Sequence, residues 1–193
     1  AKNENAPQTY ATITKYFVIF GSFICLGVIV FADILKLILV PKETYWDAMD
    51  VVPLIVLANF FLGIYTNLSI WYKLIDKTRI GAYISIVGAI VTLVLNLILI
   101  PMISYMGSAI ATILAYGTMM FISYYMGQKK YPIPYDKKSI FTYLGLAIVL
   151  SGISFYVPIL RETYVFGIAS ILFFAYFVYR NEKETILTII RRK

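Results

Sequence analysis

Ile80-Gly-Ala-Tyr-Ile-Ser-Ile-Val-Gly88-Ala-Ile-Val-Thr-Leu-Val-Leu-Asn96-Leu-Ile-Leu-Ile-Pro101-Met102 contains no charged side chain. A helix rising 1.5 Å per residue crosses a hydrocarbon layer of about 30 Å in about 20 residues. The stretch therefore reads as a membrane-spanning helix. Comparable apolar runs occupy Tyr16–Ala32, Val51–Tyr72, Gly107–Met126, Ile140–Leu160 and Tyr164–Tyr179. The predicted fold is an all-α polytopic transmembrane helix bundle with six spans.

Charge placement orients these spans. Of the 17 Lys and Arg residues, only Lys36, Lys42 and Arg161 fall in the three segments that would share one side. The others crowd the alternate segments, as with Lys73, Lys77 and Arg79, with Lys129, Lys130, Lys137 and Lys138, and with the tail from Arg180 to Lys193. Cytoplasmic loops accumulate Lys and Arg, so both termini are expected to be cytoplasmic. The same placement, beside apolar spans, assigns the net charge of +7 to lipid headgroups rather than to nucleic acid.

Composition narrows the chemistry. The chain is 61% hydrophobic with a mean hydropathy of +0.81. It has no histidine, which removes His-based nucleophilic catalysis and His-ligated metal sites. Cys25 is the single cysteine and sits within the first span, where it reads as a small buried hydrophobe. No acid lies in the middle third of any span, so neither a coupling carboxylate nor a glycosyltransferase acid is apparent. The expectation is a non-enzyme without a cofactor. The polar opening lacks a signal-peptide pattern and reads as an interior loop of a longer protein.

The segments then divide as follows. Residues 1–15 are expected to form a cytoplasmic loop, 16–126 a four-helix part, 127–139 a solvated linker with Pro132 and Pro134, 140–179 a final hairpin, and 180–193 a basic tail lying on the inner leaflet. Ser104–Met106 and Arg161–Thr163 are short links, which force antiparallel neighbours. The piece Asp33–Val40 reads as an amphipathic turn at the outer surface, with Asp33 and Lys36 on one face. Tyr45, Trp46 and Tyr105 at one boundary, and Trp71, Tyr72, Tyr124, Tyr125 and Tyr179 at the other, suggest an aromatic belt.

Polar groups within spans are costly and mark candidate sites. Asn59 and Asn67 are expected near one face of the second span, and Asn96 deep in the third. All three read either as cavity lining or as interhelical hydrogen-bonding groups. Gly107, Ala111 and Ala115 form a small-residue stripe that lets another helix approach, and Gly81 and Gly88 offer the same.

The run from Gly88 through Asn96-Leu-Ile-Leu-Ile-Pro101, followed by Met106-Gly107-Ser-Ala-Ile-Ala-Thr112, resembles polysaccharide flippases of the multidrug/oligosaccharidyl-lipid/polysaccharide exporter superfamily. The preceding helix with its basic turn, Lys73 to Arg79, and the segment Ile34–Asp50 are similar as well. The pattern's first glycine in Gly-x-x-Gly is replaced, with Ser104-Tyr105 at that turn. The resemblance implies a C-terminal part of a two-lobed transporter, whose cargo is an oligosaccharide on undecaprenyl diphosphate, flipped by alternating access. It also implies a bacterial inner-membrane location, a missing N-terminal lobe, and membrane lipids as partners, with polymerase or glycosyltransferases beside it. Asn59, Asn67 and Asn96 would line the substrate cavity, and Lys73, Lys77 and Arg79 would contact headgroups. A cation-coupled drug exporter, a lipid II flippase and a non-transporting assembly scaffold are the alternatives.

Overall fold

The computed structural model describes residues 5–191, and the side chains of residue 47 and of 184–191 lie outside that description. Lys2, Arg192 and Lys193 of the expected charge pattern therefore fall outside it. The order is α1 (Ala6–Val30), α2 (Ala32–Leu39), a 3-10 helix (Glu43–Val51), α3 (Val52–Leu68), α4 (Ile70–Leu74), α5 (Arg79–Ile103), α6 (Tyr105–Lys130), α7 (Lys137–Tyr156), α8 (Pro158–Thr163) and α9 (Val165–Arg191). No strand occurs among the described residues. The bundle is all-α, as its sequence predicts.

Among the described residues, five helical stretches are long and apolar enough to cross a membrane: Ala6–Val30, Glu43–Leu74, Arg79–Ile103, Tyr105–Lys130 and Lys137–Tyr156. The sixth expected span, 164–179, is the first part of α9, which runs on as one helix through Arg180, Glu182 and Lys183. The tail is thus a continuation of that helix rather than a separate one.

Two further boundaries differ from expectation. Residues 1–15 are not simply a loop, because α1 starts at Ala6 with Pro7 in its first turn. Proline is preorganised for that position. Thr9, Thr12 and Thr14 turn their hydroxyls back onto the carbonyls four residues earlier, which satisfies the polar groups inside the helix. The linker 127–139 shrinks to 131–136 and is pinned rather than freely solvated. Ile133 is buried, its carbonyl accepts from Gln128 Nε2 at 2.8 Å, and Asp136 accepts from the Ser139 amide at the start of α7.

The helices form two triplets. In one, α6 lies between α3 and α5; in the other, α1 packs against α7 and both meet α9. Contact between α1 and α3 joins the triplets. The linker therefore does not set the last helices apart, since α7 finds its largest partner in α1. The hairpins α5–α6 and α7–α9 are antiparallel neighbours, as their short links require.

Lipid is as apolar as leucine, so close packing rather than water exclusion holds such helices together. The stripe on α6 supplies it. Gly107, Ala111, Ala115, Met119, Ser123 and Gly127 recur every four residues and are all buried. A Cβ at Gly107 would lie 2.6 Å from the Leu99 carbonyl, so only glycine permits that crossing. The lower end of the stripe seats Trp71, which is 1% exposed and donates from Nε1 to the Ser123 carbonyl at 3.0 Å. Trp71 and Tyr72 are thus buried core rings, not members of an aromatic belt. The small side chains of α6 leave a space that an indole fills better than lipid does. Tyr45, Tyr125 and Tyr179 are exposed, as a belt requires.

Candidate functional site

The candidate residues fall into separate places. Asn67 faces a cleft of about 290 Å³ where α1 meets the end of α3, beside Tyr10, Thr14, Thr66 and Lys73. Its Nδ2 donates to the Gly63 carbonyl at 3.0 Å, which leaves its second N–H and its oxygen for other partners. Asn59 is exposed and bonds the Ile55 carbonyl of its own helix at 2.8 Å. Eight residues at about 100° each leave the two amides about 80° apart, so they do not form one wall. Neither amide of α3 hydrogen-bonds a neighbouring helix through these contacts.

Asn96 lines a different cleft, of about 520 Å³, between α5 and α6. Ser85, Thr92 and Tyr116 share it. The Asn96 Oδ1 atom is buried without a hydrogen-bond partner among the described residues. A buried acceptor left unpaired costs about 1–3 kcal/mol, so this position favours an occupant with a donor.

Lys73, Lys77 and Arg79 are all exposed around the α4–α5 turn, where Asp76 takes a left-handed φ of 54°. Lys73 also lines the Asn67 cleft. Two residues chosen on different grounds thus share one concavity, with Ile13 and Ile70 as its apolar side. The arrangement offers a cation and an amide above hydrocarbon-like walls. It suits an amphiphile with an anionic head.

Two charged clusters mark opposite ends of the bundle. At the basic end, Lys15 of α1 lies 2.6 Å from Glu182 of α9 and 3.3 Å from Asp136 of the linker. Tyr143 of α7 donates to the same Glu182 carboxylate at 2.9 Å. Glu182 is 4% exposed, so the three helices meet around a buried carboxylate. The Ser139 contacts, with Lys15 behind them, hold the Asp136 carboxyl below its usual range.

At the other end Arg161 of α8 grips Asp33 of α2 with both prongs, Nε to Oδ2 at 2.6 Å and Nη2 to Oδ1 at 2.7 Å. Lys36 adds a contact to Asp33 at 3.2 Å, so the expected Asp33–Lys36 pair exists but Arg161 is the closer partner. The guanidinium hydrogen bond lowers the Asp33 pKa and outweighs burial, which pushes the other way. Sequence reasoning found the Asp33–Lys36 pair but missed Arg161 and the whole Lys15 cluster. The partners are far apart in the chain, and only opposite charges near span ends hinted at them.

Several long apolar helices among the described residues define a multi-pass membrane protein. The MatE family model matches residues 1–98, half of the chain, and the chain belongs to that family. MatE proteins are transporters of the multidrug/oligosaccharidyl-lipid/polysaccharide exporter superfamily and not enzymes. No curated protein and no solved structure matches the chain.

Proposed function

We propose that this chain is part of a flippase that carries a lipid-linked oligosaccharide, a repeat unit on undecaprenyl diphosphate, across the bacterial inner membrane by alternating access. Both termini would face the cytoplasm, with the Lys73–Arg79 turn on that side. The observation that carries the reading is the shared cleft of Asn67 and Lys73. A phosphate head finds the Lys73 ammonium and the free Asn67 N–H there, while Ile13 and Ile70 meet the first part of an isoprenoid tail. Cations deeper along the path would come from an N-terminal lobe, and polymerase or glycosyltransferases would stand beside the complete transporter.

Flipping of a short-chain lipid-linked oligosaccharide in proteoliposomes containing the complete transporter tests this. Asn67→Leu and Lys73→Ala should each slow flipping about tenfold, the loss of roughly one charge-assisted contact, with membrane insertion and abundance unchanged. Wild-type flipping by both variants would return these residues to packing and topology. Sodium-driven export of organic cations, with no lipid-linked cargo moved, would establish the drug-exporter alternative instead.

A further inference from the structure

The acidic end of the bundle holds a cavity that neither the family match nor the phosphate cleft explains. It encloses about 400 Å³, within the range of about 300–1,000 Å³ for small-molecule sites. Four elements build it: Asp33 from α2, Asp50 from the 3-10 helix, Phe155 and Tyr156 from the end of α7, and Arg161 and Glu162 from α8. Unlike the apolar grooves along the helices, its walls are about half polar.

The geometry points to a carbohydrate-binding site there, which receives the saccharide part of the cargo on the outer side. A pyranose has an apolar C–H face and a rim of hydroxyls. The half-exposed Tyr156 ring supplies a platform for the first, its hydroxyl tied to the Asp50 carbonyl at 3.3 Å. The rim needs strong acceptors and a donor. Asp50 has a side chain 61% exposed and lies 3.8 Å from Arg161 Nη1, too far to consume that donor as a hydrogen bond. Glu162 is exposed beside it. The remaining guanidinium nitrogens are spent on Asp33, and Phe155 lies 4.0 Å beneath the guanidinium, so Arg161 is fixed with one edge toward the cavity.

Charge then separates the two sites. Three carboxylates, Asp33, Asp50 and Glu162, outnumber Arg161 and the Lys36 that pairs with Asp33, a net negative field that disfavours phosphate and accepts hydrogen bonds from hydroxyls. The Lys73 cleft has the opposite preference. Saccharide binding at the acidic end stands on the cavity alone; its role in receiving cargo rests on the flippase reading.

Saturation-transfer NMR on the purified chain in nanodiscs, with maltotriose and chitotriose as probes, tests the site. At least one trisaccharide should bind saturably, and Tyr156→Ala and Glu162→Gln should each weaken it at least fivefold. Tyr156→Phe, which keeps the ring, and Tyr45→Ala, an exposed ring outside the cavity, should leave it unchanged. Absence of saccharide binding, equal loss in Tyr45→Ala, or saturable calcium binding without saccharide binding would each overturn the proposal. Failed flipping by the complete transporter, with the trisaccharide result intact, would remove the flippase reading and leave the carbohydrate site standing.

Discussion

Replacing Ser104 by glycine should make this protein more stable. Ser104 joins α5 to α6 at φ 52° and ψ −136°, a region that side chains with a Cβ rarely enter. Two backbone bonds hold it there, from its own N–H to the Ile100 carbonyl at 2.9 Å and from the Gly107 N–H to its carbonyl at 3.0 Å. The residue cannot relax without losing the turn that brings Gly107 against Leu99. Backbone strain of this kind costs about 1–3 kcal/mol. Glycine removes it but gives the unfolded chain more freedom, worth about 0.5–1 kcal/mol in the other direction. The Ser104 side chain is exposed, so no packing is lost. The net gain is about 1 kcal/mol, and a chain of this size then gains about 3 °C in Tm. Thermal unfolding of the purified chain in one detergent, followed by circular dichroism, measures it. Ser104→Ala is the control, because alanine has the same Cβ and should gain nothing. An unchanged or lower Tm for Ser104→Gly, or an equal rise for Ser104→Ala, would refute the strain argument.

Three other outcomes follow from the charged clusters. Arg161→Ala should cost about 1–2 kcal/mol by leaving Asp33 without its two-pronged partner, and Asp33→Asn in the same background should recover part of it, read as a coupling energy in a double-mutant cycle. Because Asp33 is held below its ordinary pKa of about 3.9, its folded form releases the proton more readily than its unfolded form. Its contribution is therefore complete above about pH 5 and lost as pH falls below 3.9 toward the folded value, and Tm against pH should flatten there in Asp33→Asn. Lys15→Met should destabilise by about 3 kcal/mol, since it strands the buried Glu182 carboxylate, whereas adding Glu182→Gln should restore most of that loss in the same unfolding assay.

Hydrophobic length and the short links Ser104–Met106 and Arg161–Thr163 were enough to read the helices and their antiparallel hairpins, because both report on local segments. Trp71 shows where such reading stops. An aromatic near a span end is equally consistent with a lipid boundary and with a tertiary seat, and only the partner decides. That partner was partly legible: the stripe Gly107-Ala111-Ala115 continues at the same spacing through Ser123 and Gly127, and following it to its end predicts room for a large ring. Asn67 and Lys73 were picked out individually, yet their meeting with Tyr10 depends on where α1 lies, which no local pattern encodes. The Lys15–Glu182–Tyr143 cluster is further still from the sequence. Each member is an ordinary residue until α1, α7 and α9 converge.

The pairing of α1 with α7 sets an order of assembly. During synthesis α1 enters the membrane long before its main partner exists, while α3, α5 and α6 can already close upon one another. The α1 face that carries Val18, Ser22 and Leu26, each 0% exposed in the finished bundle, must wait in contact with lipid or an insertion factor. A chain truncated after Lys130 would therefore present one completed triplet, with α1 held by α3 alone. The family model matches through residue 98, within α5 and before α6 begins, so the matched stretch alone omits the helix on which α3 and α5 both pack.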